Sequence, residues 1–176
     1  MERLRFLTVA PCALLVALAT PLAGQLTIGL EAGVASVQDR TGAQPSAGIS
    51  LLWPVGEHFV GALSYAQWFP DDPVAPAAGT DRTGKRALNL VGYLRLTRST
   101  RFLLLLGAGL GQYESVRANG DATGSGYDGA LTASTIGMVG LTTRTTVYLR
   151  ADVATPTGDW SARWGLVHLG LSASVF

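Results

Sequence analysis

Apolar and polar residues alternate along most of this chain with a period of two. Leu26, Ile28, Leu30, Ala32 and Val34 fall on one face, and Thr27, Gly29, Glu31 and Gly33 on the other. Leu104, Leu106, Ala108 and Leu110 likewise oppose Gly107, Gly109 and Gly111, while Val147, Leu149, Ala151 and Val153 oppose Thr146, Tyr148, Arg150 and Asp152. The final segment sets Val167, Leu169, Leu171, Ala173 and Val175 against Leu166, His168, Gly170, Ser172 and Ser174. Successive side chains of a β-strand point to opposite faces, so the pattern predicts strands with one apolar face. Eight are expected, over residues 25–38, 45–54, 58–69, 85–97, 101–115, 127–141, 144–154 and 163–176. Segments three and six give no clean phase. Glycine is scattered through the segments, and capping boxes leading into a helical apolar period are missing.

The segments have the length of a tilted transmembrane strand, about 9–11 residues. The longest apolar run after the N-terminal region, residues 102–111, is ten residues and too short for a membrane-spanning helix. Short polar connections (54–58, 98–101, 142–144) alternate with long ones (39–44, 70–84, 115–126, 156–162) rich in Pro, Gly, Asp and Thr. Membrane barrels have short periplasmic turns and longer outer loops, and eight strands place every long link on one side. Of 14 aromatics, Phe6 falls in the leader described next, and only Tyr65, Tyr93 and Tyr148 lie mid-strand. Trp53, Phe59, Phe102 and Phe176 gather at the short-turn end; Trp68, Phe69, Tyr113, Tyr127, Trp160 and Trp164 gather at the long-loop end. Two interfacial girdles are expected from them.

Residues 1–24 read as a cleavable signal peptide. Arg3 and Arg5 precede an apolar run from 6 to 19, and small residues offer cleavage after Gly24, with Ala23 the second choice. Cys12 lies inside that run and leaves with it, so residues 25–176 hold neither a disulfide nor a cysteine-ligated metal. Removing 24 of 176 residues leaves 152, with 11 basic and 11 acidic side chains. That neutral balance excludes the basic footprint of a nucleic-acid binder. Charged residues are 14% against 48% hydrophobic, which excludes a disordered chain.

With these features, residues 25–176 resemble the small eight-stranded outer-membrane β-barrel proteins of Gram-negative bacteria, of the OmpX type and the OmpA transmembrane domain. The C-terminal segment is similar to the family's assembly signal: His168, Gly170, Ala173, Val175 and Phe176 supply the polar residue, the glycine and the spaced hydrophobics. Family members place the terminal Phe in phase with the outward hydrophobics, whereas here Val175 holds that phase and Phe176 is one residue beyond. The resemblance implies a monomer inserted by the barrel-assembly machinery and surrounded by outer-membrane lipids.

Candidate chemistry is sparse. The run from Gly107 to Gly111 lacks the third glycine of a dinucleotide site, because position 112 is Gln112, and no helix follows it. It reads instead as lumen-facing room for large neighbours. Gly124-Ser-Gly126-Tyr-Asp128 is a single copy of a calcium-type repeat, and Asp71-Asp72 is a pair of loop carboxylates; no metal or cofactor is expected from either. Glu31, Arg150, Asp152 and His168 fall at similar depths on strands one, seven and eight, which closure makes neighbours. Arg95, with Tyr93 and Asn89, shares the inward face of strand four. Charge in a narrow lumen has to be paired, so Glu31, Arg95, Arg150, Asp152 and His168 are expected to form an interior network.

Some outer-membrane barrels of this size modify lipid A, the deacylase type through a His-x-Ser pair. The two histidines here read His58-Phe-Val and His168-Leu-Gly, so no catalytic residue is expected. A soluble lipocalin-like binder would need its charges outward, whereas here they share the Gly and Thr face; the only Gly-x-Trp triplet, Gly158-Asp-Trp160, sits in a long link. The expectation is an all-β, eight-stranded antiparallel up-and-down transmembrane β-barrel in the bacterial outer membrane. It would be non-enzymatic and structural or surface-exposed, with adhesion or defence contacts through its outer loops. A narrow channel or transporter for a small or hydrophobic solute is the alternative.

Overall fold

The computed structural model describes residues 26–37, 43–68, 83–97, 99, 101–117, 128–157 and 163–175. They form eight strands: β1 (Thr27–Val37), β2 (Ala43–Val55), β3 (Phe59–Trp68), β4 (Thr83–Arg95), β5 (Phe102–Arg117), β6 (Asp128–Gly140), β7 (Thr145–Pro156) and β8 (Trp164–Ser174). No boundary departs from the expected one by more than two residues. Each strand pairs antiparallel with its sequence neighbour, and β1 pairs with β8 to close the barrel. Closure leaves no strand edge, so the backbone donors and acceptors along the ladders are met within the sheet.

The short turns are built by local hydrogen bonds. Gly56, at φ 78°, takes the left-handed conformation between β2 and β3. Between β6 and β7 the Thr142 hydroxyl accepts from the backbone N–H of Arg144 (3.1 Å) and Thr145 (3.0 Å). Ser99 does the same for Arg101 and Phe102 between β4 and β5, both at 3.3 Å.

In β1, β5, β7 and β8, where alternation is clean, the apolar face points outward. Leu30, Leu110 and Leu169 are all more than 60% exposed, and Ile49, Leu88, Leu106, Leu131, Leu149, Val153 and Leu171 extend the belt around the barrel. The opposite face packs the lumen in three layers. Toward the long-loop end lie Trp68, Trp164 and Leu166 within a ring of Ala35, Ala66, Ala87, Ala130 and Ala154. The middle layer is polar. Toward the short-turn end, Leu52, Val60, Leu105, Ile136 and Met138 form a second apolar layer, which Tyr93 and Tyr148 join to the polar one.

The three layers explain why strands three and six carry no clean alternation. In β3 the inward residues Val60, Ala62, Ser64, Ala66 and Trp68 are mostly apolar, because the strand contributes to both apolar layers. The expected girdle holds at the short-turn end, where Phe59 and Phe102 are exposed. Among the described residues of the long-loop end it does not. Trp68 and Trp164 turn into the lumen, their ring centroids 6.4 Å apart, and Tyr113 packs on Trp164 at 4.5 Å. Depth along a strand does not fix the face, and for these rings the inward phase wins. Phe69, Tyr127, Trp160, Phe176, Asp71, Asp72, the Gly124 to Asp128 motif apart from the backbone of Asp128, the signal segment and most of the long links lie outside the described residues.

Candidate functional site: a buried polar layer in the lumen

Glu31 enters the lumen from β1, Arg150 and Asp152 from β7, and His168 from β8, and all four are buried. The ladders bring them together, since Gly33 stands opposite His168 and His168 opposite Arg150. Arg150 is the hub. Its Nη2 lies 2.7 Å from Glu31 Oε1 and its Nε 3.0 Å from Asp152 Oδ2. The angles at Glu31 Oε1 and Arg150 Nε make these ion pairs rather than aligned hydrogen bonds. Two carboxylates thus share one guanidinium, and the His168 imidazole closes the other side of Glu31, with Nδ1 at 3.3 Å.

His168 is matched in either neutral tautomer. With Nδ1 accepting from Arg150 Nη2 at 3.3 Å, Nε2–H donates to the Ser46 hydroxyl at 2.6 Å. With Nδ1 protonated, it faces Glu31, and Ser46 donates to Nε2. The remaining carboxylate oxygens are also met. Tyr148 donates to Glu31 Oε2 at 3.1 Å, and Ser50 donates to the Tyr148 hydroxyl at 3.0 Å. Ser134 donates to Asp152 Oδ1, and Tyr93 donates to Ser134 at 2.6 Å. Deeper on the same faces, Thr132 donates to Asn89 at 3.3 Å.

Glycines make room for this layer. A Cβ at Gly29 or Gly170 would collide with the Tyr148 ring, and one at Gly107 would come within 2.6 Å of the Tyr93 ring. Tyr148 therefore packs over positions 29 and 170, where β1 and β8 carry no side chain. Sequence reasoning singled out Glu31, Arg150, Asp152 and His168, and the structure brings these four into contact. The serines that complete them, Ser46, Ser50 and Ser134, lie outside that expectation, and no clean phase on strand six singles out Ser134.

Arg95 is inward-facing but stands apart. It lies at the end of β4 toward the short turns and makes no ion pair to the four. It lines a cavity of about 650 Å³ at that mouth together with Glu57, His58 and Arg101. Of the terminal segment, His168 and Gly170 face inward, Ala173 and Val175 are exposed, and Phe176 lies outside the described residues. His58 sits in the β2–β3 turn. Among the described residues no group of three His, Cys, Asp or Glu side chains is placed to hold a metal.

A closed antiparallel barrel with an apolar exterior and a filled polar centre defines a transmembrane β-barrel. No protein-family model matches the sequence, and no curated protein matches it either. Solved structures do match. Neisserial surface protein A aligns at a TM-score of 0.66 and 13% identity, over 86% of this chain and 96% of that one. Ail, the attachment invasion locus protein of Yersinia pestis, in complex with the heparin analogue sucrose octasulfate, aligns at 0.56 and 12%, over 86% and 99%. The outer membrane enzyme PagL aligns at 0.51 and 10%, over 84% and 99%. The chain has the fold of the small eight-stranded outer-membrane β-barrels. At these identities the likeness is one of fold, and that fold carries both enzymes and non-enzymes.

Proposed function

We propose that this chain is a non-enzymatic integral protein of the bacterial outer membrane, a sealed barrel that holds its long links at the cell surface. The observation that carries this reading is the filled lumen. An ion-paired layer lies between two apolar layers, and eight strands enclose a space just wide enough for side chains to fill. Trp68, Trp164, Tyr148 and Arg150 are all almost fully buried and fill the lumen among the described residues. The absence of catalysis is argued from the histidines: His168 is enclosed by Ser46, Glu31 and Arg150, and His58 lies on an exposed turn with no described hydroxyl bonded to it.

In this reading residues 1–24 direct export, and the segment from His168 to Phe176 is read by the barrel-assembly machinery. The monomer then sits among outer-membrane lipids through its leucine and valine belt. The long links are free to make adhesion or defence contacts, a role consistent with the attachment named for Ail. The test is electrical. Purified protein incorporated in planar bilayers is expected to give no conductance steps above the empty bilayer. Reproducible unitary steps would overturn the anchor and favour the narrow channel. Boiling-dependent mobility in an outer-membrane fraction tests the location, and its absence there would refute it.

A further inference from the structure

Arg95 is handled unlike the other lumenal guanidinium. Arg150 is met by two carboxylates, whereas Arg95 Nε is stripped of solvent and has no acceptor among the described residues. Arg95 as a whole is half-buried, yet a shielded charged donor without a partner is costly, and a water or an ion is the usual source of the acceptor it lacks. The surroundings indicate what that acceptor is. Arg95 borders two cavities at the short-turn mouth, of about 650 and 500 Å³, and Arg101 and His58 line the larger one with it. Glu57 is the one carboxylate in that lining.

The hydroxyls there add donors. Ser99 and Thr142 each accept two backbone N–H bonds in their turns, so each keeps its own O–H to give. Two guanidinium groups with spare hydroxyl donors around a water-accessible hollow suit a tetrahedral oxyanion, because guanidinium presents paired N–H donors to such oxygens. The apolar layer of Leu105 and Met138 closes the hollow from within, so an anion would enter and leave by the same mouth.

We propose that the short-turn mouth is a binding site for a small oxyanion of the phosphate class, gripped by Arg95 and Arg101. The site does not depend on whether the barrel conducts. The phosphate could arrive as a free solute or as a lipid headgroup, and the chemistry of the site is the same for both.

The test follows the Arg95 side-chain Nε–H resonance in the protein folded in phosphate-free maltoside micelles. Inorganic phosphate is expected to shift it saturably, while chloride at equal ionic strength does not. Arg101→Gln is expected to weaken that binding about tenfold, the scale of one charge-assisted hydrogen bond. If Arg95→Gln does not fold, Arg95→Lys keeps the charge without the Nε donor, and the exposed Arg101 variant carries the comparison. In vesicles without free phosphate, a matching shift caused by phosphatidylglycerol but not by phosphatidylcholine identifies the lipid as source. Equal, unsaturating responses to phosphate and chloride, with no response to phosphatidylglycerol, would overturn the proposal.

Discussion

Replacing Arg150 by Met is the most informative single perturbation of this barrel. Met keeps an unbranched stem of similar bulk, so the change removes charge more than volume. What remains is two carboxylates, Glu31 and Asp152, in a layer where the Arg150 and Glu31 side chains are 2% and 0% exposed. Among the described residues neither has another basic side chain within ion-pair reach except the His168 imidazole beside Glu31. Breaking a buried pair by removing one partner costs about 3–5 kcal/mol, and here one guanidinium serves two partners, so the upper half of that range is expected. The assay is reversible urea unfolding from phosphocholine vesicles, followed by tryptophan fluorescence and gel mobility. The triple variant Glu31→Gln, Arg150→Met, Asp152→Asn removes the charge from all three and is expected to recover most of the loss, a strongly non-additive result. A single variant within about 1 kcal/mol of wild type would mean that water reaches and screens this layer. It would refute the sealed lumen along with the estimate.

Gly170→Val is expected to cost at least about 1–3 kcal/mol because its Cβ meets the Tyr148 ring, whereas Gly92→Ala, with open space around its Cβ, is expected to leave the urea midpoint unchanged. Equal effects of the two would contradict the packing of Tyr148. Leu30→Arg, on the lipid face, is expected to lose about 2–4 kcal/mol in vesicles, while Thr143→Arg in the exposed β6–β7 turn loses almost nothing. An Arg tolerated equally at both positions would mean that the leucine belt is not immersed in hydrocarbon.

Most of the barrel was legible because lipid outside and polar side chains inside give opposite faces different chemistry. Strands one, five, seven and eight show this cleanly. Strands three and six blur it, for the lumen is itself apolar above and below the charged layer, so Val60 and Ile136 resemble lipid-facing residues. Counting residues from the strand ends found Glu31, Arg150, Asp152 and His168, whose strands are contiguous through β8. Arg95 joined them on its inward face alone; it is the last residue of β4, at the short-turn end, whereas the four lie mid-strand, so face without depth misplaced it. Trp68 and Trp164 were assigned to the interface by position alone. Only the phase of their own strands, clear for β8 and obscured for β3, turns them inward. Ser46, Ser50 and Ser134 carry no mark in the sequence that separates a network serine from any other.

The seam between β1 and β8 joins residues from opposite ends of the chain, Thr27 beside Ser174. Glu31 reaches its counter-ion only across that seam, on β7. An open intermediate therefore holds a carboxylate on its first strand with no partner until the last strand docks. A docking one residue out of register would turn His168 toward lipid and Leu169 into the charged layer. The ion-paired centre thus acts as a lock that accepts one alignment of the two chain ends. Closure in the correct register is rewarded in one late, cooperative step, and mismatched closures are left poised to reopen.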